Sequence, residues 1–143
     1  MEFHTLNLLC RYAQSYGRER IRSVGLTNTS FLILCLLSGH GALQQDKIVL
    51  MLMMGKTTVA KALGPLEKAG LVQRHTHPSD RRKVIVNITE AGRQKISGIQ
   101  HIYDEWLENN AKCLTTEEHK IFDDICRRLA KNAELSTEIL PFE

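Results

Sequence analysis

Residues 66–92 read LEKAGLVQRHTHPSDRRKVIVNITEAG, and the period of the apolar side chains changes inside them. Upstream, over 56–69, Val59, Ala62–Leu63 and Leu66 fall at i, i+3/i+4 and i+7, the spacing of one helical face. Gly70 stands in the C-terminal cap position of that helix. Beyond it, Leu71–Thr76 and Lys83–Ile88 are short and rich in β-branched residues. His77-Pro78-Ser79-Asp80 between them is turn chemistry, so the two runs predict a β-hairpin.

Outward from this stretch the pattern is helical. Residues 3–22 carry Phe3, Leu6, Leu9–Cys10, Ala13 and Tyr16 at helical spacing, and Gly25 ends the segment. Thr27 or Asn28 caps a second helix that runs to about Ser38 through Phe31, Leu34, Cys35 and Leu37. Gly39-His40-Gly41 separates it from a third, about 44–53, and Gly55 separates the third from the fourth. Downstream, Thr89 caps one long helix from about 90 to 112. Thr115 and Glu118 form a capping box before a last helix striped with Ile121, Phe122, Ile125 and Leu129. The expected class is mainly α with a small β-hairpin, an α+β fold. With no repeat and no dividing linker, residues 1–143 are expected to form a single domain.

A chain of 143 residues can bury a sufficient core without staples. Its net charge of +3 is unevenly placed. Residues 56–83 hold Lys56, Lys61, Lys68, Arg74, Arg81, Arg82 and Lys83 against Glu67 and Asp80, while residues 84–143 are net acidic. A focused positive field suits a polyanionic partner. The start, MEFHTLNLLCRYAQ, has no basic leader or small-residue cleavage site. The longest apolar run, Ile48–Met54, is far short of the roughly 20 residues of a membrane helix. A soluble, cytoplasmic chain with no membrane partner is expected. Cys10, Cys35, Cys113 and Cys126 form no C-x-x-C pair and read as reduced, partly buried thiols. The six histidines have no metal-ligand spacing, so no metal and no cofactor is assigned.

The run IVLMLMMGKTTVAKAL imitates a strand, a phosphate loop and a helix. A phosphate loop needs G-x-x-x-x-G-K-[ST], and Leu50 stands where its first glycine belongs. As the start of a helix the same residues read differently. Lys56, Thr57, Thr58 and Lys61 lie off the apolar stripe near the N-terminal end, within reach of base edges and phosphates if that end enters a major groove. The hairpin tip adds Ser79, Arg81, Arg82 and Lys83, and arginine is favoured in narrow minor grooves. A basic hairpin after a basic-tipped helix is a winged helix-turn-helix in outline. No nucleophile–base or carboxylate pair stands at a spacing that brings its members together, so no catalytic residue is assigned.

The same residues resemble the signature of MarR-family transcriptional regulators. There the recognition helix ends in L-E-x-x-G-L-V, the wing carries D-x-R, and the last strand runs into L-T-x-x-G. Here these are Leu66-Glu67 with Gly70-Leu71-Val72, then Asp80-Arg81-Arg82, then Ile88-Thr89-Glu90-Ala91-Gly92. Gly25-Leu26-Thr27 matches the G-L-T that opens the family's second helix. The resemblance implies a winged helix-turn-helix over about 26–90 and dimerisation helices over about 3–22 and 90–134. It also implies a homodimer on double-stranded DNA, with recognition helices about 34–36 Å apart on a pseudo-palindromic operator. Tyr103, Trp106 and Leu107, with the stripe of the last helix, are more apolar surface than one winged domain covers.

In such a wing a carboxylate is repelled by phosphate, so Asp80 is expected to brace Arg82 by a salt bridge, leaving Arg81 and Arg82 as groove-contact candidates. Two features depart from the family pattern. Gly64-Pro65 sits inside the recognition helix, and Pro65 clashes with the carbonyl of Lys61, predicting a bend there. Leu50–Met54 is rich in methionine, which reads as core packing before it reads as an adaptable ligand or partner surface. The resemblance implies a repressor or activator modulated by a small phenolic or lipophilic effector. Oxidant sensing through Cys10, beside Arg11, is one alternative, and a protein-interaction module without specific DNA binding is another.

Overall fold

The computed structural model describes the backbone of residues 3–139 and the side chains of 4–133, so the Phe3 side chain of the expected first stripe lies outside the described residues. The order is α1 (Phe3–Ser23), α2 (Asn28–His40), β1 (Leu43–Gln44), α3 (Gln45–Leu52), α4 (Lys56–Lys68), β2 (Val72–His77), β3 (Asp80–Ile88), α5 (Glu90–Ser97), α6 (Ile102–Asn110), a 3₁₀ turn (Ala111–Cys113) and α7 (Thr116–Ile139). Mainly helical with a small antiparallel sheet, this is the winged-helix class. The chain divides into two compact units, with the boundary between Tyr103 and Asp104.

In the first unit three helices end in the same way. The N–H of the second residue past each end reaches back five residues, and that of the residue before it reaches back three. Leu26 donates to Ile21 and Gly25 to Arg22 after α1, and Leu71 donates to Leu66 and Gly70 to Glu67 after α4. At the end of α3 Met54 donates to Val49 at 3.2 Å and Met53 to Leu50 at 3.1 Å. This geometry needs a left-handed residue, supplied at Gly70 (φ +70°) and, against the usual preference, at Met53 (φ +51°). The Met53–Gly55 turn swings the chain through 117° between α3 and α4. Two helices at roughly 90–120° across a three-residue turn make a helix-turn-helix.

The rear of α4 seals this corner. Val59, Leu63 and Leu66 are buried together with Ile48 of α3, Phe31, Leu34 and Leu37 of α2, and Val72 and Val86 of the sheet. Pro65 is accommodated inside α4 without interrupting it. Of the methionine-rich run, Leu52 and Met54 pack against the core, whereas Met53 is 69% exposed at the turn.

The sheet order is β1-β3-β2, all antiparallel. β1, where Leu43 pairs with Val86 and Gln44 with Ile85, is a strand where the third helix was expected to begin. Two residues are too few to show alternation, and α3 starts only at Gln45. The feet of the wing meet at one point. Thr89 N–H donates to the Leu71 carbonyl at 3.0 Å, Thr89 Oγ1 donates to the Gly70 carbonyl at 2.6 Å, and Gly92 N–H donates to Thr89 Oγ1 at 3.1 Å. A Cβ on Gly92 would lie 2.2 Å from the Leu71 carbonyl oxygen and 2.7 Å from Ile88 Cγ1.

The single helix expected over 90–112 is broken. α5 stops at Ser97, residues 98–101 form a turn, and α6 starts at Ile102. Ile99 N–H donates to Ile96 and Ile102 N–H to Ile99, so the bonds shorten to a three-residue step. That step places Ile96, Ile99 and Ile102, all buried, on one side. Gly98, a poor helix former, occupies the break. Thr27 caps α2, accepting from Ser30 N–H at 3.1 Å. In the second unit, Thr115 and Glu118 form the reciprocal capping box before α7. Among the described residues no single helix is long and apolar enough to cross a membrane.

Gly92→Ala drives a methyl group into the Leu71 carbonyl, which backbone at a hydrogen-bonded junction cannot easily yield. The expected cost is about 2–4 kcal/mol, read as a lowered denaturant midpoint with an unchanged slope. Wild-type stability for this variant would contradict the close approach.

Candidate nucleic-acid interface

Burial of Val59, Leu63 and Leu66 fixes the rotation of α4, and so decides what its opposite side presents. Lys56, Thr57, Thr58 and Lys61 are all exposed there. The helix starts at Gly55, which offers no capping side chain, so the first-turn N–H groups meet no side-chain acceptor of that residue. GKTT therefore opens a helix and forms no phosphate loop.

The wing departs from a regular hairpin. From Val72↔Ile88 to Thr76↔Val84 the pairing is in register, and the next pair is His77↔Asp80. Between these two pairs β2 has no intervening residue, while β3 has Arg81, Arg82 and Lys83. The three consecutive bases are the excess of a bulge, and all three are exposed. Pro78 and Ser79 make the tip, where Ser79 N–H donates to His77 Nδ1 at 3.3 Å with Ser79 Oγ 3.0 Å from the same nitrogen. Asp80 turns inward relative to the bases. Its Oδ1 accepts from Arg82 N–H at 3.1 Å and lies 3.5 Å from Arg82 Nε, while the Arg82 side chain remains 93% exposed.

Two acids that sequence reasoning gave no role complete the charge pattern. Lys56 Nζ lies 3.4 Å from Asp46 Oδ1 in the first turn of α3. Asp46 also lines a small cavity with Gln44, Gln45, Arg82, Lys83 and Val84, which brings the start of α3 to the base of the bulge. At the other end of α4, Glu67 Oε2 accepts from Arg74 Nε at 2.9 Å and from Arg74 Nη2, tying the helix to β2. The Arg74 hydrogen bond holds the Glu67 carboxyl below its usual range against the opposing effect of desolvation, and the charges of Arg74 and His75 add to it. Glu67 is visible as part of a motif, but its partner seven residues on lies in another element. Asp46 and Lys56, ten residues apart on two helices, are linked by no periodic rule.

The cysteines correct an expectation. Cys35 alone is partly buried, and burial pushes its thiol up to about 11, away from reactivity. Cys10, Cys113 and Cys126 are exposed, the first and last on helices whose apolar stripes are exposed too. Among the described residues no group of three His, Cys, Asp or Glu is arranged to hold a metal. A larger cavity, about 260 Å³, lies where α1 bends into α2, lined by Arg18, Ile21, Arg22, Leu26, Thr27 and Asn28. Tyr103 Oη donates to Asn28 Oδ1 at 3.2 Å beside it, and the Tyr103 ring packs on Phe31.

Comparison with known proteins gives this geometry a context. Residues 26–84 match the model of the MarR family. The HTH-type transcriptional regulator YwaE of Bacillus subtilis is 30% identical over 117 residues, covering 80% of this chain and 67% of that protein. The crystal structure of MarR superposes with a TM-score of 0.86 at 24% identity, covering 98% of this chain and 95% of that one. The structure of NadR in complex with 4-hydroxyphenylacetate gives 0.78 at 24% identity, covering 92% and 93%.

The Glu67–Arg74 tie has a testable pH signature. A carboxyl whose folded pKa lies below its ordinary value of 4.5 adds stability that is present above that value. The contribution is lost as pH falls through the lower folded value. Wild type is expected to be more stable than Glu67→Gln at pH 7, the gap closing as denaturation is repeated below about pH 4.5. A gap that persists at pH 3 would show that the carboxylate charge is not its source.

Proposed function

The chain belongs to the MarR family of DNA-binding transcriptional regulators, and from that premise we propose that it binds a pseudo-palindromic operator as a homodimer under the control of a small effector. The observation that carries the proposal is the pairing of two exposed basic elements on one framework. Lys56, Thr57, Thr58 and Lys61 stand on the front of a helix with a sealed rear, and the bulge presents Arg81, Arg82 and Lys83. α4 supplies base contacts from Thr57, Thr58 and Lys61 and a phosphate contact from Lys56. The bulge supplies phosphate or minor-groove contacts from the two arginines, Lys83 and Ser79.

Residues of about 26–90 form the DNA-binding part of the proposed dimer, and helices over about 3–22 and 90–134 form its pairing surface. Support comes from apolar side chains left in solvent: Leu6, Leu9, Tyr12 and Tyr16 on α1, and Ile121, Ile125 and Leu129 on α7. Exposed stripes of that extent mark interaction surfaces. The site of action is the cytoplasm, and the chain works by binding, without catalysis. The effector reading draws on the cavity beside Arg18 and Arg22, whose two guanidinium groups and apolar floor suit a small aromatic carboxylate. NadR was crystallised with such a molecule. Cys10, exposed on α1, leaves oxidant control as a second reading.

Selection of bound fragments from genomic DNA, followed by titration in rising salt, tests the core of this reading. A recovered site should be bound with a log–log salt slope of about 0.9 per phosphate neutralised. Lys61→Ala is expected to weaken that site by about 1–3 kcal/mol, and Arg82→Ala to reduce the slope by about one. No enriched sequence and no salt dependence would mark the chain as a protein-interaction module instead. For the effector, 4-hydroxyphenylacetate should raise the melting temperature of wild type and release the bound fragment, with Arg22→Ala insensitive to both. Loss of binding on peroxide treatment in wild type but not in Cys10→Ser would favour the thiol.

A further inference from the structure

Asp46 stands at an unusual place for an acid. It lies in the first turn of α3, 3.4 Å from the ammonium of Lys56, and it shares a small cavity with Arg82 and Lys83. Lys56 at the start of α4 pairs with this carboxylate, and Arg82 and Lys83 of the wing bulge line the cavity beside it. Asp46 and Lys56 side chains are 66% and 78% exposed, so the pair lies on the surface that the proposed function turns toward DNA. Such a pair adds little to stability, because exposed ion pairs contribute about 0–1 kcal/mol. Its effect on a phosphate approaching the same ammonium is direct. A carboxylate there offers Lys56 the charge and acceptor oxygens that the backbone would otherwise provide.

Resting on the DNA-binding reading above, we infer that Asp46 sets the affinity threshold of the DNA-binding surface, as a built-in counter-charge that occupies Lys56 in the place of a phosphate. Binding to any duplex must exchange the Asp46–Lys56 pair for a Lys56–phosphate pair while leaving Asp46 facing the polyanion. That charge penalty is the same on every sequence. Only a site that adds base-edge contacts from Thr57, Thr58 and Lys61 offsets it. Asp46 therefore lowers affinity for arbitrary DNA and makes occupancy depend on base readout.

The test uses the full chain with two probes of equal length, a mixed-sequence duplex and the fragment recovered by genomic selection. Asp46→Asn is expected to bind the mixed-sequence duplex about three- to tenfold more tightly than wild type, with a salt slope steeper by about 0.9. The fragment should gain by the same factor, leaving the affinity ratio between the two probes unchanged. Asp46→Glu, which keeps the charge, should stay within about twofold of wild type on both. In a Lys56→Ala background the gain from Asp46→Asn should shrink to the part due to Asp46 facing the polyanion, and its persistence at full size would overturn the Lys56 route. Melting temperatures check that α3 survives, and if Asp46→Asn unfolds, Asp46→Ser makes the same charge change with a side chain that can still cap a helix. Wild type without salt-dependent DNA binding would remove the parent reading. Wild type with such binding, and Asp46→Asn no tighter on mixed sequence, would remove this one alone.

Discussion

The carbonyl of Leu71 is the point on which the alignment of α4 and the wing depends. It accepts the Thr89 N–H, and the space beside it admits a glycine at 92 and nothing larger. Just before it lies the left-handed end of α4, and just after it β2 begins. Thr89, on the other side, ends β3 and caps α5. Helix exit, both feet of the wing and the entry to the next helix are thereby fixed within a few hydrogen bonds of one another. This explains why Gly-Leu-Val and Thr-x-x-Gly occur together, since each half of the pattern supplies what the other half requires. A loose junction would leave α4 and the wing each correctly folded and wrongly aimed.

Around that junction the charges are arranged for position more than for stability. Glu67 holds Arg74, Asp80 holds Arg82 through both backbone and side chain, and Asp46 meets Lys56. All three pairs are partly or largely exposed, where water screens most of their energy. What they do is restrict where long, flexible cations spend their time. An arginine already tethered at its own turn loses less freedom on meeting a binding partner than an untethered one does.

Much of this was legible in the sequence because it rests on local rules. Helix faces followed from apolar period, the starts of α2, α5 and α7 from Thr27, Thr89 and Thr115, and the hairpin from His77–Asp80. The losses have physical reasons as well. β1 is two residues long and gains its identity only from β3. Gly55 marked the break after α3 to within a residue, but not the left-handed turn itself, because Met53 adopts a backbone state usually left to glycine. The Gly98 break resembles a tolerated glycine in a helix until Ile99 and Ile102 are seen to need the same side as Ile96. At the site, the exposed ends of α4 and the wing were predictable, because burial of Val59, Leu63 and Leu66 leaves one outward direction. The Asp46–Lys56 pairing was not, since it depends on the 117° corner between two helices.

The three surplus residues of β3 have a bearing on how such a wing can change over generations. The ladder from Val72↔Ile88 to Thr76↔Val84 is closed before the bulge begins, so every side chain below it keeps its face regardless of what happens above. A residue gained or lost among 81–83 alters the reach and charge of the tip while Val86 stays in the core. In an ordinary two-residue hairpin the same event would slip the strand and turn its buried face outward. The wing is thus a place where length itself can be varied, letting the reach and charge of the tip be sampled on a scaffold that does not register the change.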